Sequence, residues 1–160
     1  MYKLFQKLVS ICVIASMVFA NGAVVFAKTI QQQGIKKQII SQETYYDENN
    51  ELVERTVIKT TYPSVRANTY KRVTYTDKRK FTDFTASLTA TFSYSIADKK
   101  VSCVSKYSTY SQNFGLKNES LTDTGSGKKC TVTLKYSHNS GLGYTTKTLK
   151  LKCNYKGNLV

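Results

Sequence analysis

The chain has 160 residues, one histidine, no tryptophan and one proline, and carries 24 Lys and Arg against 10 Asp and Glu, a net charge of +14. A single histidine excludes a multi-histidine metal centre, and the length admits one domain of ordinary size. The charge says little about fold but sets a partner class, because a strongly basic protein attracts anionic polymers and surfaces.

Residues 1–27 open with Lys3 and Lys7, continue with an apolar run from Leu8 to Ala20, and offer small-residue exits at Ala20 and Ala27. This is the charged head, apolar middle and Ala-ended cleavage site of a secretory signal. Asn21 and Gly22 interrupt the run before it reaches the roughly 20 apolar residues of a membrane-spanning helix. Cleavage is expected after Ala27, where Lys28 begins the polar chain, with Ala20 or an uncleaved anchor as the alternatives. Cys12 follows Ile11 inside the apolar run, which does not suit lipid attachment, and no wall-sorting signal follows. The expected location is therefore extracellular, with cell-wall association as an option. The signal holds two of the 24 basic residues and none of the ten acidic ones, leaving 22 against 10, a net +12.

Residues 28–36 read as a flexible start and 37–160 as a single β domain. Thr and Ser form about a quarter of residues 28–160, and Tyr is abundant, a composition that suits a pleated, half-buried surface. A first hairpin joins residues 37–46 to 52–62 through Asp47, Glu48, Asn49, Asn50 and Glu51, with Tyr46 opposite Leu52, Glu43 opposite Arg55 and Ile40 opposite Ile58. A stretch at 63–69 separates this hairpin from a C-terminal core at about 80–160, with a strand expected near 68–77.

The clearest strand covers 84–96. Phe84, Ala86, Leu88, Ala90, Phe92, Tyr94 and Ile96 alternate with Thr or Ser at each odd position from Thr85 to Ser95, which gives one apolar face and one wet face. It pairs with 101–110, placing Ile96 opposite Val101, Tyr94 opposite Cys103 and Ala90 opposite Tyr107. A weaker strand is expected at 114–122. The last hairpin sets Cys130, Val132 and Leu134 against Cys153, Leu151 and Leu149 about a turn centred between Gly141 and Leu142. Residues facing each other this way have Cα atoms about 4.5–5.5 Å apart, within reach of a disulfide, so Cys130–Cys153 is the expected bridge and Cys103 a buried thiol. Cys103 bridging to either of the others is the alternative. The fold class expected is all-β, an antiparallel two-sheet sandwich of immunoglobulin-like general architecture.

Few residues suggest catalysis. His138 reads as a hairpin-end residue, and a Cys103/His138 nucleophile–base pair has no activating motif around it. Asp47, Glu48 and Glu51 suit a turn and lack calcium-loop spacing. Gly125-Ser126-Gly127-Lys128-Lys129 precedes a strand instead of a helix, which fits a turn better than a phosphate loop. No enzyme activity, cofactor or metal is expected.

The positive signal is basic. Lys71, Arg72, Lys78, Arg79, Lys80, Lys147, Lys150 and Lys152 are the candidate anion-binding residues, with tyrosines such as Tyr70 and Tyr75 among them. Lys150 and Lys152 project opposite Leu149 and Leu151 and so line a wet strand face. A solvated, solubilising surface explains the same lysines without any ligand.

The run LTATFSYS, a short turn, a Cys-bearing strand and the closing TLKLKCNYKGNLV resemble small secreted β-domain proteins of Gram-positive, clostridial-type bacteria over about residues 84–160. The resemblance implies export and a compact β fold and assigns no site residue. Together these features give a secreted, non-enzymatic module that binds anionic cell-wall polymers or a membrane surface through lysines. Nucleic acid is disfavoured as a partner. A bacteriocin-like antagonist acting on other cells is the second reading.

Overall fold

A computed structural model describes residues 30–32, 34–63, 69–111, 116–139 and 143–160. The expected signal segment, with Cys12, Ala20 and Ala27, lies outside the described residues, as do residues 64–68 and the turn centre at Gly141 and Leu142. The described part is all-β. Its strands are β1 (Ile30–Gln32), β2 (Ile35–Tyr46), β3 (Leu52–Thr61), β4 (Lys71–Lys80), β5 (Thr85–Ser95), β6 (Lys100–Tyr110), β7 (Lys117–Asp123), β8 (Lys129–Asn139) and β9 (Tyr144–Asn154). They form a six-stranded sheet in the order β1 to β6 and a three-stranded sheet in the order β7-β8-β9, all antiparallel. Each strand pairs with its sequence neighbour, so the two-sheet architecture is reached by a meander without the interleaved connections of immunoglobulin domains.

Period-two alternation decides what lies between the sheets. The large sheet contributes Val73, Tyr75, Ala86, Leu88, Ala90, Phe92 and Val101, and the small one Cys130, Val132, Leu134, Tyr136, Leu149, Leu151 and Cys153, all in one buried cluster. Full burial of a Leu- or Phe-sized side chain contributes roughly 1.5–3 kcal/mol, so this shared layer holds the sheets face to face. Two backbone hydrogen bonds between Val101 and Gly127, 2.8 and 3.0 Å, stitch the β7–β8 connection to β6. The glycine-lysine stretch is thus a strand connection, as its sequence suggests.

The β8–β9 register is the expected one, with Leu134 opposite Leu149, Val132 opposite Leu151 and Cys130 opposite Cys153. The other two hairpins need correction. In β2–β3, Tyr46 faces Leu52 and Glu43 faces Arg55, but Ile39 rather than Ile40 faces Ile58. A bulge inserts Ile40, whose side chain then packs against the core. In β5–β6, Tyr94 pairs with Val101, Phe92 with Cys103 and Ala90 with Lys106. The strand ends at Ser95, leaving Ile96 exposed in the turn beside Lys99 at φ 52°, and a bulge inserts the exposed Val104.

The N-terminal part also differs from expectation. Ile30–Gln32 pairs with Ile35–Lys37 as β1, because Gly34 at φ 81° lets the chain reverse tightly. The first hairpin is no separate unit either: β3 pairs with β4 from Glu54↔Lys80 to Thr61↔Val73, so the sheet runs unbroken into the core.

The far end of the sandwich is closed by residues 154–160. Leu159 bridges back to Cys153, and the Tyr75 hydroxyl donates a buried 2.7 Å hydrogen bond to the Gly157 carbonyl. Gly157 sits at φ 77°, and a Cβ there would lie 2.5 Å from the Tyr94 ring. Gly157→Ala therefore combines left-handed backbone strain with a clash against a packed ring, and should cost on the order of 2–4 kcal/mol. Urea denaturation of the variant beside the parent checks this; an unchanged midpoint would show that the tail does not clamp the sandwich.

Candidate functional site

Because β8 buries its even-numbered side chains and β9 its odd-numbered ones, the other set on each strand forms the outer face of the small sheet. There Lys129 lies opposite Asn154, Thr131 opposite Lys152, Thr133 opposite Lys150 and Lys135 opposite Thr148. Lys129, Lys135, Lys150 and Lys152 are all exposed, and none has an acidic partner among the described residues. No Asp or Glu occupies an outward position on either strand. Lys150 and Lys152 are about 6.7 Å apart along β9, and Lys129 and Lys135 sit diagonally from them at roughly 7–8 Å. At that spacing, neighbouring ammonium groups repel by about 0.6 kcal/mol even in bulk water. Threonine hydroxyls fill the positions between. The result is a band of unpaired cations with interspersed hydrogen-bonding groups, which suits a linear polyanion lying along the strands.

The remaining predicted basic residues go elsewhere. Lys71 and Arg72 are exposed at the start of β4, and Lys78 is exposed further along the same strand in the large sheet. Lys80 is 3.1 Å from Glu54 across β3–β4. Arg79 turns toward the inner side and holds Asp77, a fully buried carboxylate that Arg55 also grips at 3.0 and 3.1 Å. Arg55 in turn binds Glu43 at 2.7 Å, and these carboxylates outweigh its desolvation and raise its pKa. Of the eight candidates, only Lys150 and Lys152 belong to the unpaired band. Lys129 and Lys135 complete it, and the parity of Cys130, Val132, Leu134 and Tyr136 on the same strand is the signal that marks them.

Lys147 is the largest correction. It has the parity of Leu149 and Leu151, is 8 % exposed, and points inward. Its ammonium pairs with Asp47, lies 3.0 Å from Glu51 and sits 5.0 Å over the Phe81 ring. Both carboxylates belong to the β2–β3 turn, so Lys147 fastens that turn to the edge strand β9 and is spent as an anion binder. Asp47 Oδ1 also accepts from the Asn49 and Glu51 amides at 2.9 and 3.0 Å, which shapes the turn as its sequence suggests. Burial works to raise the Asp47 pKa, but Lys147 and the two amides outweigh it and hold the carboxyl below its usual range.

Beside this tie is a cleft of about 350 Å³. Its walls include Tyr45, Tyr46, Asp47, Arg79, Phe81 and Thr148. Behind it Phe81 stacks on Phe84 at 4.6 Å and 11°, and the His138 ring lies 4.4 Å from Phe84. His138 is therefore more than a hairpin-end residue. It is buried among aromatic rings, its Nε2 has no hydrogen-bond partner among the described residues, and burial lowers its pKa.

The cysteines gather at the opposite end of β8. Cys130 and Cys153 face each other as expected, yet the three cysteines among the described residues are free thiols and the expected disulfide is not formed. Cys153 Sγ is directed to the Asn154 carbonyl at 3.5 Å and Cys103 Sγ to the Ser105 carbonyl at 3.3 Å, so both thiols point to neighbouring backbone and not to a second sulfur. Burial raises the pKa of each thiol, that of Cys153 to about 12. Eight residues of strand separate Cys130, beside Cys103, from His138, roughly 26 Å. The structure does not bring Cys103 and His138 together. Under native conditions a maleimide should label half-buried Cys103 alone, with Cys130 and Cys153 reacting only after denaturation; mass mapping of labelled peptides reads the order.

Two groups beside the cleft contribute to the acid response. The folded-state pKa of His138 lies below its unfolded value of about 6.5, so the unfolded chain takes up that proton first and stability falls as pH drops below about 6.5. Asp47 contributes fully above about pH 4, and its contribution is lost as pH falls through its depressed folded value. Urea midpoints from pH 7 to 2 should fall in two stages, the first flattened by His138→Gln and the second by Asp47→Asn. Set against known proteins, the chain matches no known protein family, no curated protein sequence and no solved structure.

Proposed function

We propose that the protein is exported and acts as a non-enzymatic β-sandwich module that holds an anionic polymer of the cell envelope on the outer face of its three-stranded sheet. The observation that carries this reading is the band of Lys129, Lys135, Lys150 and Lys152, exposed, without acidic partners among the described residues and interleaved with threonines. Elsewhere Arg55, Arg79, Lys80, Lys106 and Lys147 are neutralised by carboxylates, while Lys71, Arg72 and Lys78 are exposed along a single strand, β4. A purely solubilising surface has no need to collect four like charges on two adjacent strands, where each repels the next. The N-terminal apolar segment supports the location, and envelope polymers are the abundant polyanions there.

Sedimentation of the purified protein with isolated Gram-positive cell walls, intact or stripped of their anionic polymers, tests the reading. Binding should require the polymers and weaken as salt shortens the Debye length. Lys150→Glu with Lys152→Glu should lower affinity at least about tenfold, near 1.4 kcal/mol, while exposed-surface changes of this kind leave stability within about 0.5 kcal/mol. Lys99→Glu with Lys100→Glu, in the β5–β6 turn region, should bind as the parent does. Equal binding to stripped walls, or equal loss in both double variants, would remove the lysine band from the function.

A further inference from the structure

The cleft beside Lys147 and the lysine band meet at one residue. Thr148 lines the cleft, lies directly across from Lys135 and precedes Lys150 by two positions on the same face. A chain held along the band therefore passes the mouth of the cleft. We propose that the cleft takes one sugar ring, so that the polymer held on the lysine band is a glycosylated one. This rests on the polymer-binding reading and names the chemistry it selects.

Charge separates the cleft from the band. Asp47 and Glu48 lie in its wall, and the two cations there are already engaged, Lys147 by Asp47 and Glu51 and Arg79 by Asp77. A second anion would meet carboxylates without a free cation to offset them, whereas an uncharged ligand rich in hydroxyls would not. The wall supplies what such a ligand needs. Tyr45 and Tyr46 are aromatic residues for the C–H face of a pyranose, the Phe81 ring being already engaged by Phe84 and the Lys147 ammonium, and Asn49, Arg79 and Thr148 supply hydrogen-bonding groups for its hydroxyls. Arg79 brings an Nε–H without a partner among the described residues, although that atom is buried. Tyr46 is 66 % exposed, an aromatic ring beside the opening that the core does not require.

Size limits the occupant. A volume of about 350 Å³ lies at the small end of ligand sites, which run from about 300 to 1,000 Å³, and suits one ring instead of an oligosaccharide. The walls are also fixed in advance: the turn carrying Asp47, Glu48 and Asn49 is tied to β9 through Lys147, and Phe81 is stacked on Phe84. Walls that need no ordering on binding lower the entropic cost of capturing a small, weakly held group.

The test is a ¹⁵N–¹H correlation spectrum of the purified protein titrated separately with glucose, galactose and N-acetylglucosamine up to about 50 mM, the range for millimolar affinity. At least one sugar should shift the amides of residues 45–49 and 146–148 in a saturable way. Tyr46→Ala should lower that affinity at least threefold, and Lys99→Glu with Lys100→Glu should leave it unchanged. No saturable shift with any of the three, or shifts outside these residues that Tyr46→Ala leaves intact, overturns the sugar site. That outcome is separate from the polymer reading, which is decided by wall binding with the polymers stripped and with the two double lysine variants.

Discussion

A pleated strand has two faces and no third, and in this protein one of them must be kept dry. The buried layer of Val73, Tyr75, Leu88 and Phe92 against Val132, Leu134, Leu149 and Leu151 is the only large apolar surface the described sheets share. Everything else follows from meeting it. Because β8 and β9 commit one parity to that layer, the other parity is displayed to solvent as a set, and its lysines are aligned by the same pleat that aligns the leucines. The surface is in this sense a by-product of the core. A one-residue slip between β8 and β9 would bury Lys150 and Lys152 and expose Leu149 and Leu151, so the hydrophobic layer also guards the geometry of the lysine band.

The polar exceptions inside the sandwich are handled by pairing. Asp77 occupies a core position and is held by Arg55 and Arg79, with Glu43 completing the group. Lys147 occupies another and is held by Asp47 and Glu51. Buried charges of this kind add little net stability when compared with apolar residues, yet losing one partner is costly. Their value here is positional. Lys147 fixes a turn of the large sheet to the edge strand of the small one, and that junction is where the cleft opens.

Much of this was legible in the sequence, and the failures have physical causes. Alternation over Cys130–Leu134 and Leu149–Cys153 runs without interruption, so pairing by parity gives the correct register. The same logic failed for 84–96 because Ile96 keeps the apolar parity after the backbone has already turned, and because a bulge at Val104 carries no sequence mark. Ile40 was misplaced for the same reason. Lys150 and Lys152 were found by their parity, and Lys129 and Lys135 follow from the identical rule applied to β8. Lys147 shares the parity of Leu149, but a buried lysine is credible only with its partners in view, and those lie 100 and 96 residues away. The cleft is assembled from the β2–β3 turn, the end of β4 with Phe81, and β9. No local pattern announces a site whose walls come from three distant segments.

The clamp of Tyr75 onto Gly157 spans 82 residues, in a fold whose strand ladders join sequence neighbours. A meander can begin to form as each strand emerges, yet the core face of β4 has no cover until β9 and the residues beyond it arrive. Contacts of such long separation form late. The half-made large sheet, with Val73, Tyr75 and Phe92 unburied, is then a state the chain must pass through without completing. On the export route proposed above, that delay is useful: a chain unable to finish folding before residue 157 is available stays threadable, and the sandwich locks only on the far side.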